Sequence, residues 1–104
     1  MQIQVVNSVN NKINDIYTKG ENINQKSHWE NTKHLENNNV LVYGFHIYLA
    51  NSETHEWYIS DGRNVLYKAC SETFYPPHTG WKAKLNTPDN ETYIETNLEI
   101  NYIV

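Results

Sequence analysis

The sequence predicts an all-β fold, a single small antiparallel sandwich or strongly curved sheet of six to eight short strands. Three observations predict it. Residues 40–49 alternate, with Leu41, Tyr43, Phe45, Ile47 and Leu49 on one face and Val40, Val42, Gly44, His46 and Tyr48 on the other. Both faces are partly apolar, the mark of a central strand. Residues 57–81, WYISDGRNVLYKACSETFYPPHTGW, read as a hairpin running out into a stiff aromatic loop. No segment sustains apolar spacing of three and four residues over two turns, so no helix is expected.

The elements follow in order. Ile3, Val5 and Val9 mark a first strand within residues 2–9, broken by Asn10 and Asn11. Residues 13–19 form a second, closed by Gly20, and 27–31 a short third after a polar turn. Residues 32–39 read as a long asparagine-rich loop, and 51–54 as the turn out of the central strand. Residues 57–61 alternate large apolar and polar side chains. Asp61 and Gly62 then turn the chain, since glycine accepts positive φ and aspartate bonds nearby backbone. Residues 65–71 return as the second arm, pairing Trp57 and Ile59 with Val65 or Leu66 and Tyr67. Pro76 and Pro77 cannot donate to a ladder, so the strand ends before them. Gly80 lets the chain turn and lay Trp81 back on the sheet. Residues 82–91 are polar, hold Pro88, and are expected to be irregular; 93–95 and 98–104 close the domain with one or two strands.

A chain of 104 residues suits one core, and no linker is visible, so residues 1–104 are expected to form one domain. Hydrophobic content is 38%, with its mass weighted toward tyrosine and tryptophan instead of leucine, which favours sheets. A net charge of −4 argues against a nucleic-acid partner, which calls for a basic surface. No apolar run reaches the roughly 20 residues of a membrane span, and the first residues lack the basic start of a signal peptide. The single Cys70 excludes an internal disulfide and suits a cytoplasmic location. On that reading the sequon at Asn90 is a chance match. Asparagine is frequent, with no run longer than 37–39, and AT-rich codon usage accounts for it.

Asn14, Tyr17, Gly20 and Trp29, then Ile47, Tyr48, Leu49, Trp57, Ile59, Asp61, Tyr67 and Ala69, and finally Pro76, Pro77, Gly80 and Trp81 stand in a recurring order. Over roughly residues 3–82 this order resembles a small module of protist and animal multidomain proteins. Its pattern runs NGxY, GxxNGxPxY, WxIxD and PPxxGW. The chain departs from it at Asp15, at 24–26 and in the loop around Asn37. The resemblance implies a non-catalytic appendage with no established activity.

Candidate chemistry is sparse. His28, His34, His46, His55 and His78 sit at no metal-ligand spacing, so they read as surface or strand-edge histidines, with no metal and no cofactor expected. Cys70, on a strand among aromatics, reads as a small buried hydrophobe. A catalytic role would need it exposed in a cleft beside a histidine. Asp61 reads as a turn former. Aromatics are more abundant than one core can hide: Trp57, Trp81 and Tyr67 are assigned to packing, while Phe74, Tyr75, His78, Tyr58 and Trp29 are candidates for an exposed binding patch. The resulting reading is a non-catalytic protein-interaction or accessory module binding a protein partner around the loop 74–81. The alternative is a carbohydrate-binding module, which requires coplanar exposed aromatics. A competing view of the loop is that it only seals one end of the β structure.

Overall fold

The structure, a computed structural model, describes residues 2–34, 41–85 and 92–103. The strands are β1 (Gln2–Val6), β2 (Ile16–Lys19), β3 (Trp29–His34), β4 (Leu41–Asn51), β5 (Glu56–Ser60), β6 (Val65–Cys70), β7 (Lys82–Lys84), β8 (Tyr93–Glu95) and β9 (Glu99–Ile103). They form one sheet in the order β8-β7-β6-β5-β4-β3-β2-β1-β9, with every neighbouring pair antiparallel. The edge strands β8 and β9 therefore run in the same sense, yet only Thr96, Asn97 and Leu98 separate them. At 3.3–3.6 Å per residue that link reaches about 14 Å. The sheet must curl until its two edges lie within this reach, which makes it a half-barrel.

The predicted all-β class holds, and of the two expected forms the strongly curved sheet is found and the sandwich is not; the described residues form nine strands instead of six to eight. The extra strand β7 falls in the polar stretch expected to be irregular. Its strand character comes from pairing on both sides, Ala83 opposite Tyr67 and Ile94, and not from its own pattern. Residues 32–34, expected in a loop, extend β3 against β4, with a register shift between Asn31 and Lys33. At that bulge the Asn31 side chain accepts the Phe45 backbone N–H at 2.6 Å and replaces a ladder bond. The second strand starts at Ile16 and not at Ile13, because Asn14 acts as a backbone mimic: its carbonyl accepts from Ser8 N–H at 2.8 Å and its amide donates to Ser8 O at 3.0 Å. The Asn37 loop and the Asn90 sequon lie outside the described residues.

Alternation along the strands sends one set of side chains to the concave face. Ile3, Val5, Tyr17, Trp29, Ile47, Leu49, Trp57, Ile59, Tyr67, Ala69 and Ile100 are buried there, joined by Ile13, Trp81 and Leu98 from connections. All three tryptophans are at most 1% exposed, and each removes about 150–250 Å² from water. Of the pairs expected across the hairpin, Ile59 stands opposite Tyr67, whereas Trp57 faces Ala69 and Val65 faces Ser60. A buried hydrogen bond of 3.0 Å between the Ser8 and Tyr67 hydroxyls ties the end of β1 to β6 across the interior. Cys70 corrects the sequence reading. Tyr67 and Ala69 take the inward positions, so Cys70 at the strand end is exposed.

Candidate functional site

Because the strands meander, the β2–β3, β4–β5 and β6–β7 connections share one end of the half-barrel. In the first, Asn24 and Gln25 hold φ of 52° and 66°, a conformation asparagine tolerates better than most residues. Ile23 and Lys26 exchange backbone hydrogen bonds of 2.8 and 3.0 Å around them. The Asn24 amide donates to Leu49 O at 2.7 Å and Ala50 O at 3.2 Å, which fixes the turn on β4.

The β6–β7 connection, residues 71–81, divides into two parts with different roles. In the second part Pro76, Pro77 and Trp81 are buried. Tyr102 donates its hydroxyl to Pro76 O at 2.5 Å. His78 binds β9 twice: Ile100 N–H donates to its carbonyl at 2.9 Å, and its Nδ1 lies 2.7 Å from Ile100 O. The second bond requires a proton on Nδ1. Thr96 closes the seam from the other side, donating to Trp81 O at 2.7 Å. This part seals the half-barrel.

The first part presents an aromatic. Phe74 is 57% exposed and stands perpendicular to Tyr75 at 88°, ring centroids 5.0 Å apart. Thr73 donates to Tyr75 O at 2.6 Å and holds the short bend between them. Tyr75 is half-buried and meets Trp29 at 6.4 Å and Tyr102 at 5.6 Å, so Phe74 is mounted on the core through it. Lys26 Nζ sits 4.4 Å from the Phe74 ring centroid, within cation–π range. Phe74 also lines two clefts. One of about 210 Å³ runs between it, Tyr75 and the Lys19–Ser27 side. The other, of about 340 Å³, is lined by Asn24, Gln25, Lys26, His55 and Glu72 among others.

The five predicted binding residues thus separate. Phe74 is the exposed member, seated on the half-buried Tyr75. His78 is exposed but committed to Ile100, and its ring lies 4.4 Å from that of Tyr102. Trp29, expected in an exposed patch, is 1% exposed, because its strand alternation points it into the core. Its indole N–H finds no acceptor among the described residues. Tyr58 is on the opposite face: Trp57 and Ile59 point inward, so Tyr58 packs outward on Tyr48 at 6.1 Å and 70°. Burial, then the neighbouring Glu56 carboxylate, pushes its phenol pKa up.

That outer face carries a second constellation, which the sequence reading missed. Glu30 and His46 stand opposite one another in β3 and β4, and His28, two residues before Glu30, shares their face. His28 Nε2 lies 2.9 Å from His46 Nδ1, and Glu30 Oε2 is 4.0 Å from the first and 3.7 Å from the second. Tyr48 meets the His28 ring edge-on at 6.4 Å. Burial, and then the adjacent His46, hold the His28 pKa below its ordinary value, opposed by Glu30 and Glu21. Histidines 28 and 46 are far apart in sequence and form no motif. The readable signal was the two-residue spacing of His28 and Glu30 on a strand, but the β3–β4 register was needed to add His46.

Comparison with protein-family models, with curated proteins and with solved structures finds no match for this chain. Among the described residues, no helix is long and apolar enough to cross a membrane. The fold and its surface define the class: an all-β half-barrel domain with an aromatic mounted between two clefts at one end and a histidine–carboxylate cluster on its outer face.

Proposed function

We propose that the domain is a non-catalytic interaction module whose partner is an extended protein segment bound at Phe74. The observation that carries this reading is a large apolar side chain 57% exposed, seated on Tyr75 between two clefts. Tyr75 supports the ring from one side and Asn24 fixes the facing turn, an arrangement that lowers the ordering cost of binding. Apolar anchors with polar rims are the usual centres of protein interfaces. The rim includes Lys19, Asn22, Gln25 and Lys26, donors suited to the carbonyls of an extended chain, with Glu72 beside them in the second cleft. The same reading agrees with the accessory module that the sequence resembles. The perpendicular seating of Phe74 and Tyr75 weighs against a carbohydrate platform, for which coplanar rings are needed.

A displayed library of random peptides, selected on the immobilised domain, tests the proposal. Selected peptides should lose at least roughly thirtyfold in affinity for Phe74→Ala, the weakening expected of an anchor, while the variant melts like the wild type. Selection of no peptide, or peptides indifferent to Phe74→Ala, would overturn the reading.

A further inference from the structure

We propose that His28, Glu30 and His46 form a binding site for one divalent transition-metal ion of zinc-like preference on the outer face of β3 and β4. The inference is independent of the role of Phe74.

The geometry of the three ligand atoms carries it. A tetrahedral site with metal–nitrogen and metal–oxygen bonds of 2.0–2.2 Å places neighbouring ligand atoms roughly 3.3–3.5 Å apart. The three separations here, 2.9, 3.7 and 4.0 Å, bracket that value, so each atom reaches its vertex by moving less than about 1 Å. The two longer separations exceed a hydrogen bond. Glu30 is therefore not simply hydrogen-bonded to either ring; its carboxylate stands as the third corner of a triangle. Facing ring nitrogens at 2.9 Å share one proton between them, and a bound cation would take that proton's place.

The scaffold favours the same arrangement. Glu30 and His46 are a cross-strand pair in the middle of a nine-stranded sheet, so the β3–β4 ladder sets their separation before any ion arrives. Gly20 makes room: a Cβ there would lie 3.1 Å from His28 Nδ1 and 3.5 Å from Glu30 Oε1. Its backbone N–H donates to His28 O at 2.6 Å and holds that residue against β2. The side chains of His28, His46 and Glu30 are 13%, 30% and 37% exposed, so a fourth position faces solvent. Three protein ligands with one open position is the pattern of accessible zinc sites and not of closed structural ones. Two imidazoles and one carboxylate select zinc, copper or nickel over calcium or magnesium, which prefer oxygen alone.

Calorimetric titration of the metal-free protein with zinc chloride tests the site. One ion per chain should bind, and His46→Gln or Glu30→Gln should weaken it at least roughly tenfold, the lower bound for disturbing a metal site. His55→Gln, at a half-exposed histidine elsewhere, should leave it unchanged, and magnesium should not compete. A second measurement guards against variants that unfold. In the wild-type protein, zinc should shift the ring proton resonances of His28 and His46 ahead of those of His55 and His78. Absence of binding, equal binding by His46→Gln, or shifts confined to the other histidines would each overturn the assignment.

Discussion

Trp81 donates its indole N–H to the carbonyl of Pro77 at 2.8 Å, closing a short ring of chain that turns at Gly80 with φ of 86°. The bond satisfies the one polar atom of a side chain that is 0% exposed. It also fixes the sealing half of the β6–β7 connection against the core. Trp81→Ala should then destabilise the domain by about 3–5 kcal/mol, the range for truncating a buried aromatic. Urea melts read this directly, and a loss under about 1 kcal/mol would mean that the loop does not seal the fold.

Phe74 and Tyr75 are adjacent but should respond differently to truncation. Phe74→Ala removes a mostly exposed ring and should change stability by no more than about 0.5–1 kcal/mol. Tyr75→Ala removes contacts to Trp29 and Tyr102 and should cost about 2 kcal/mol or more. Equal losses in thermal or urea melts would contradict the division of the loop into a sealing part and a presenting part.

Asp61 should contribute acid-sensitive stability. Its carboxylate accepts the backbone N–H groups of Asn64 at 2.7 Å and Arg63 at 2.9 Å, and these bonds, Asn64 first, hold its pKa below the ordinary 3.8 despite some burial. The folded state thus binds the proton less readily than the unfolded chain. The contribution is complete above about pH 4 and lost as pH falls through the folded pKa. Asp61→Asn should flatten the stability profile below about pH 4 and leave its shape near neutrality unaltered.

Cys70 should react with a neutral alkylating reagent in the folded protein. It is exposed at the end of β6, so labelling followed by mass spectrometry should proceed without denaturant. Protection in the native state would restore the buried position that its aromatic surroundings in sequence suggested.

Much of the fold was legible. Alternation set Ile47 with Leu49 on one face of β4 and assigned Trp57 and Tyr67 to packing, and all four are buried, because a half-buried strand writes its two sides into the residue order. Which face of β4 is buried, and that Ala69 and not Cys70 turns inward, the residue order left open. The Asp61–Gly62 turn was equally local and reads the same way in the structure, with Gly62 at φ 91°. The candidate site was less legible. Phe74 and Tyr75 were identified from the surplus of aromatics, but that argument cannot sort individual rings. Trp29 went to the core and Tyr58 to the far face on strand phase alone.

The residue order by itself determined the β class, the central hairpin, the turn positions and the assignment of Trp57 and Trp81 to the core. These depend on period-two alternation and on the backbone restrictions of glycine, proline and asparagine, interactions that span a few residues. Only the tertiary structure decided that β7 is a strand, that the sheet curls until its edges are three residues apart, and that His46 stands beside His28 and Glu30. Those outcomes rest on which strand lies next to which and in what register. Pairing energy comes from the neighbour's backbone and side chains, so no single segment carries the information that selects it.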